Sequence, residues 1–81
     1  MTIRVRLFAI LRERAGSGEL ALELPDRSTV GDASCALAKR LPAVEQYLSR
    51  VAFAVNQSYV DRATILCDGD ELALIPPVSG G

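Results

Sequence analysis

The sequence predicts a small α+β domain in which one main helix packs across one face of a mixed sheet. The chain has 81 residues, which is enough for a single domain. Two segments in the first third of the chain have apolar residues at every second position, as strands do, and one central segment carries apolar residues at helical spacing. Packing the helix on the sheet buries the apolar side of each element.

The first two strands are predicted over residues 3–9 and 19–24, because apolar residues occupy every second position in both. Between them, residues 10–15 are interpreted as a charged connector, and the Gly-Ser-Gly sequence at 16–18 indicates a flexible turn. Two strands joined by a loop of this length predict an antiparallel hairpin.

The main helix is predicted within residues 30–41. Thr29 lies three residues before Asp32, an arrangement typical of a capping box at a helix start. Pro42 ends the helix, because proline cannot donate the next backbone hydrogen bond. Apolar residues within 44–51 indicate another short helical piece that leads into the next strand.

The C-terminal half adds the remaining strands. Residues 51–55 are predicted as a strand, 56–58 as a turn, and 59–60 as a return to extended chain. The Asp-Gly-Asp sequence at 68–70 predicts a tight turn before a last strand over 71–75. The resulting order is β-β-α-β-β, which is the β-grasp, or ubiquitin-like, arrangement.

A tail of residues 76–81 completes the single predicted domain of residues 1–81. Pro76 and Pro77 stop the strand and favour extended backbone. A frayed chain end is the usual fate of such a segment, and the residues alone favour it. The chemical alternative is specific: Gly80 and Gly81 have no side chains and can enter a narrow channel. A terminal carboxylate joined to AMP is a mixed anhydride, which a sulfur nucleophile can convert to a thiocarboxylate.

Composition narrows the other classes of function. The formal net charge is −1 and the pI is about 5.2, so we expect no nucleic-acid partner. No apolar stretch approaches the ~18 residues of a membrane span, and the N-terminus alternates polar and apolar residues, so we expect no membrane association and a cytoplasmic protein. The chain has no histidine, and the spacing of Cys35 and Cys67 matches no metal motif, so no metal site is expected.

Several segments resemble the small subunits of molybdopterin synthase, a family of ubiquitin-like sulfur carriers. The most specific is the run D-G-D-E-x-A-x-x-P-P-V-S-G-G, in which x is any residue, over residues 68–81. The resemblance extends over nearly the whole chain. Its other segments are residues 5–9 (VRLFA), 11–13 (LRE), 29–32 (TVGD), 54–57 (AVNQ) and 59–60 (YV).

The resemblance implies a role in molybdenum cofactor synthesis. An E1-like enzyme would use ATP to adenylate Gly81, and a sulfur donor would then install a thiocarboxylate there. Gly80, which has no side chain, would let this terminus enter a narrow channel. Sulfur would pass to cyclic pyranopterin monophosphate in the active site of a large subunit, within a heterotetramer of two large and two small subunits. The carrier would hold no permanent cofactor, only a transient AMP adduct and the thiocarboxylate sulfur, and catalysis would lie chiefly on the large subunit.

The resemblance also assigns a surface for docking on that large subunit to Phe8, Tyr59 and Ile75. The strand phase agrees for two of these residues, because Phe8 and Ile75 are out of phase with the apolar positions expected to face the helix. In the tail, the resemblance assigns partner binding to Pro76, Pro77, Val78 and Ser79.

Two positions depart from the resemblance. Ser58 stands where many family members have an acidic residue, and Cys67 lies in a turn where polar residues are common.

Three other functions are open. The chain could instead serve thiamine or cysteine synthesis, or be a conjugating modifier with the same chemistry at Gly81. It could also be a plain interaction module, in which case Gly80 and Gly81 would be dispensable.

Overall fold

The computed structural model describes residues 1–77, which form a mixed five-stranded sheet with its helices on one face. The strands are β1 (Thr2–Leu7), β2 (Glu19–Glu23), β3 (Ala52–Val55), β4 (Ser58–Val60) and β5 (Glu71–Ile75). The helices are α1 (Ala9–Ala15), α2 (Val30–Arg40) and a 3-10 helix (Pro42–Tyr47). Among these residues, no helix has both the length and the apolar character needed to cross a bilayer.

The strands lie in the order β2-β1-β5-β3-β4, and only the pairing of β1 with β5 is parallel. The first hairpin is antiparallel, with Ile3 opposite Leu22. The predicted β-grasp fold is therefore confirmed, and its last strand lies between the first and the third.

The core lies between the sheet and the helices. Alternate residues of β1 point towards it, and Ile3, Val5 and Leu7 are at most 2% exposed. Leu72 and Leu74 of β5 are fully buried beside them. The other core side chains are Leu11, Leu22, Leu24, Val30, Ala33, Leu37, Val44, Leu48, Phe53 and Leu66.

The main helix begins and ends as predicted. The Asp32 amide donates to the Thr29 hydroxyl at 3.1 Å, and the Thr29 amide donates to the Asp32 carboxylate at 2.9 Å, which completes a capping box. At the other end the Leu41 amide donates to the Leu37 carbonyl at 2.7 Å, and Pro42 then opens the 3-10 helix.

The prediction of a connector over residues 10–15 was wrong, because this segment belongs to α1. Ala9 has a φ of 50°, so the chain leaves the direction of β1 at once, and the predicted strand over 3–9 ends at Leu7. Leu11 is fully buried and fixes the helix to the core. Gly16, with a φ of 79°, ends the helix and donates its amide to the Arg12 carbonyl.

The predicted turn after β3 is confirmed and β4 follows it directly. Asn56 and Gln57 both have positive φ values, 49° and 72°, so they form a tight hairpin turn in which Val55 pairs with Ser58. The turn before β5 contains Gly69 at a φ of 84°, a conformation that favours glycine.

Candidate functional site

The candidate site is the outer face of the sheet, opposite the helices, where β5 ends and the tail begins. β5 pairs with β1 on one side and with β3 on the other, so hydrogen bonds hold it from both sides. Ile75 and Pro76 are half-buried and Pro77 is exposed. The tail therefore starts from the middle of the sheet, at a point fixed by two neighbouring strands.

The start of β5 is fixed by the carboxylate of Asp70. It accepts a hydrogen bond from the Cys67 amide at 2.8 Å and another from the Asn56 side-chain amide at 3.0 Å. The Asn56 side-chain oxygen in turn accepts from the Glu71 amide at 3.1 Å. Asp70 thus joins the turn before β5 to the turn after β3.

A second pair of contacts joins the same turn to the N-terminus. The Asp68 carboxylate accepts from the Thr2 amide at 2.7 Å, and the Gly69 amide donates to the Thr2 carbonyl at 2.8 Å. The specific Asp-Gly-Asp-Glu sequence is therefore a structural device that sets the register of the strand carrying the tail.

Apolar side chains collect on the outer face around the end of β5. We define the docking face as Phe8, Ala52, Ala54, Tyr59, Ala73 and Ile75. Strand register places them together: Ala54 pairs with both Tyr59 and Ala73, and Ala52 pairs with Ile75. Leu7 pairs with Leu74, so the next residues along these parallel strands, Phe8 and Ile75, come level.

The three predicted docking residues thus lie on one face, with Phe8 and Ile75 next to the start of the tail and Tyr59 two strands away on β4. Tyr59 is 74% exposed and Phe8 is 38% exposed. Exposed apolar side chains that group on one face are typical of an interaction site, whereas a single one such as Ile65, 51% exposed, is not. Ile75 is half-buried. The prediction that Phe8 and Ile75 face away from the helix-covered core is confirmed.

The remaining predicted site residues lie outside the described part of the chain. These are Val78, Ser79, Gly80 and Gly81. The expectation that the tail projects from the body beyond Pro77 concerns the same residues.

A charged cluster borders the docking face on β1, and sequence reasoning missed it. Arg6 pairs with Glu71 and Arg4 pairs with Glu19, each at 3.9 Å. The Arg6 guanidinium carbon also lies 5.4 Å from the centroid of the Phe8 ring. The signal was present in the sequence, because Arg6 and Phe8 are two residues apart on an alternating strand and so share a face.

Potential reactive side chains lie elsewhere. Cys35 on α2 and Cys67 before β5 are exposed free thiols, and neither belongs to the docking face. Within residues 1–77, no group of three or more potential metal ligands is close enough together to hold an ion. What the outer face offers is a group of apolar side chains next to the start of the tail.

The family model described as "ThiS family" matches residues 5–81 of the chain. The chain belongs to the ThiS family. A relative from Chlamydomonas reinhardtii, named molybdopterin synthase sulfur carrier subunit, is 41% identical over 83 residues, which cover 100% of both chains. The resemblance to ubiquitin-like sulfur carriers predicted from the sequence is confirmed by these matches.

Solved structures of the ThiS-like fold agree with the model. The crystal structure of SAMP1 (small archaeal modifier protein 1) from Haloferax volcanii superposes with a TM-score of 0.92, at 35% identity over 100% of both chains. A chain in the complex of subunits 1 and 2 of the molybdopterin-converting factor from Helicobacter pylori superposes with a TM-score of 0.73, at 26% identity over 100% of both chains. The β-grasp assignment therefore holds over the whole sheet.

Proposed function

We propose that this ThiS-family chain is a sulfur carrier that acts as the small subunit of molybdopterin synthase. The observation that carries the proposal is the full-length likeness to a protein named molybdopterin synthase sulfur carrier subunit. The family match also extends through Gly81, the residue on which the chemistry would rest.

The first step is activation of the Gly81 carboxylate. One carboxylate oxygen attacks the α-phosphorus of ATP in an E1-like enzyme, and pyrophosphate leaves. Hydrosulfide (HS⁻) from the sulfide donor then attacks the carbonyl carbon of the acyl-adenylate, AMP leaves with one of the original carboxylate oxygens, and loss of the sulfur-bound proton gives the thiocarboxylate. The nucleotide is bound only transiently, and no side chain of this chain has to react. We propose that this step takes place in the cytoplasm.

The second step transfers the sulfur. The thiocarboxylate sulfur attacks a carbon of cyclic pyranopterin monophosphate that carries oxygen, so that a C–S bond replaces a C–O bond and the oxygen leaves as water or stays on the phosphate. The carrier and the pterin are then joined by a thioester, and water cleaves the bond between sulfur and the Gly81 carbonyl carbon. The carboxylate is regenerated and the sulfur stays on the pterin. A dithiolene contains two sulfur atoms, so each product molecule consumes the thiocarboxylates of two carrier chains.

Docking brings the tail to the large subunit. Phe8 and Tyr59 supply exposed apolar surface on the same face as the half-buried Ile75, and the related Helicobacter pylori chain is described in a complex of two subunits. At about 3.3 Å per extended residue, residues 76–81 can reach up to about 20 Å from the end of β5. We propose that the tail enters a channel of the partner. The segment in contact with the channel is Pro76, Pro77, Val78 and Ser79, and Gly80 and Gly81 reach the partner's active site.

The activation step is tested by mass spectrometry. The purified chain is incubated with the E1-like enzyme, ATP and a sulfide donor, and its C-terminal peptide is weighed. The proposal predicts an exchange of one oxygen for one sulfur that requires ATP and is confined to the peptide ending in Gly81. Absence of the exchange, or a sulfur adduct on Cys35 or Cys67 instead, would contradict it.

A second candidate is a conjugating modifier, which the close superposition with SAMP1 favours. The activated Gly81 carbonyl would then be attacked by a lysine amine of another protein, with loss of AMP and formation of an isopeptide bond. Proteomic detection of Gly81 attached to lysines would support this function. If the thiocarboxylate forms efficiently but no dithiolene is made, the result would favour a conjugating modifier or a carrier for thiamine or cysteine synthesis.

A plain interaction module is the alternative without tail chemistry. It predicts that deleting Gly80 and Gly81 leaves function intact, whereas both carrier and modifier require them.

A further inference from the structure

Arg6 is placed between a charged neighbour and an aromatic one. Its side chain is 44% exposed, and its terminal nitrogen lies 3.9 Å from a carboxylate oxygen of Glu71, which is itself only 24% exposed. Its guanidinium carbon lies 5.4 Å from the centroid of the Phe8 ring, within the range of a cation–π contact. Glu71, Arg6 and Phe8 therefore form a chain of contacts that ends on the docking face.

Phe8 needs such support because it lies just beyond β1. The strand ends at Leu7, and Ala9 turns away with a φ of 50°. Phe8 precedes α1 with an extended backbone, and its side chain makes no capping hydrogen bond there. The contact that the structure shows for the ring is with the Arg6 guanidinium.

We propose that Arg6 and Glu71 are positioning residues that hold the Phe8 ring in the orientation needed for docking. Glu71 restrains the guanidinium, and the guanidinium restrains the ring. The inference rests on the proposed function, because it assumes that the docking face binds the large subunit. Burial of the ring in a partner also removes water from Arg6, and a cation–π contact strengthens when it is desolvated.

A double-mutant cycle tests this role. The four chains are native, Arg6→Gln, Phe8→Leu and the double variant, and calorimetry measures their affinity for the purified large subunit. We expect Arg6→Gln to weaken binding roughly 5- to 30-fold in the native background. In the Phe8→Leu background, where no aromatic ring is present, the same change should cost less than about 2-fold. Arg6→Lys, which keeps a cation, should restore part of the affinity.

Arg4→Gln is the matched control. Arg4 lies on the same face of the same strand and makes an ion pair of the same length, 3.9 Å, with Glu19. It has no aromatic contact among the described residues, so its loss should change affinity within about 2-fold, as for an exposed ion pair. Thermal unfolding of each variant establishes that all are folded.

Proton NMR of the free chain supplies a readout that needs no partner. The side-chain methylene protons of Arg6 should show ring-current shifts that disappear in Phe8→Leu, while those of Arg4 should not change. Equal losses for Arg4→Gln and Arg6→Gln, or the same loss from Arg6→Gln with and without the ring, would overturn the positioning role. If the native chain, with its thiocarboxylate in place, does not bind the large subunit, the proposed function is refuted instead.

Discussion

Removal of the Asp70 carboxylate should destabilise the fold by about 2 kcal/mol, because two segments depend on it. Asp70→Ala loses the hydrogen bonds from the Cys67 amide at 2.8 Å and from the Asn56 side chain at 3.0 Å. A hydrogen bond to a charged group is worth about 1.5–3 kcal/mol, and because both of these bonds lie at an exposed turn we expect their combined loss to cost about 2 kcal/mol. For a domain of this size, the melting temperature should fall by about 8–16 °C.

Two further variants sharpen this prediction. Asp70→Asn keeps one acceptor oxygen, so its loss should be about half as large. Asp68→Ala loses the single contact to the Thr2 amide and should cost about 1 kcal/mol. The free energy of unfolding is measured by urea denaturation with fluorescence of the two tyrosines or circular dichroism. If Asp70→Ala stays within about 0.5 kcal/mol of the native chain, the account of how β5 is fixed is wrong.

Three more predictions concern docking, the thiols and α1. Phe8→Asp or Ile75→Asp should weaken binding to the large subunit by about 2 kcal/mol or more while leaving the fold intact; calorimetry showing unchanged affinity would contradict this. Cys35→Ser combined with Cys67→Ser should preserve sulfur transfer, and loss of transfer in the folded double variant would indicate a thiol relay. Leu11→Ala should cost about 2–4 kcal/mol in urea unfolding, because the side chain is fully buried; a loss below about 1 kcal/mol would mean that α1 is not fixed to the core.

Local signals in the sequence predicted the main elements. The capping box of Thr29 and Asp32 involves residues three apart, and alternation along β1 is visible within a few positions. The short helix α1 was missed because its stability comes from the burial of Leu11 in the core, which is a tertiary effect. Its end was nonetheless marked by Gly16, which could have been interpreted as a helix cap rather than as part of a loop.

The candidate site was only partly predictable for a related reason. Phe8 and Ile75 stood out by strand phase, but the alanines of the docking face became visible only once β5 was placed between β1 and β3. The contact of Arg6 with Glu71 likewise depends on the parallel register of β1 and β5, which no local pattern encodes. The function of the tail was suggested by resemblance, since the residues alone favoured a frayed end.

The central claim, that this chain donates sulfur from the carboxylate of Gly81, is tested most directly by changing the position of that carboxylate. Dithiolene formation is measured with the large subunit, the E1-like enzyme, ATP, a sulfide source and either the native chain or a chain with one residue appended after Gly81. One extended residue moves the carboxylate by about 3.3 Å, and errors of ~1 Å can already cost about 10²-fold in rate. The account predicts that the extended chain, with unchanged thermal stability, forms no product. An extended chain that escapes trimming, as judged by its mass, and still turns over at the native rate would contradict it.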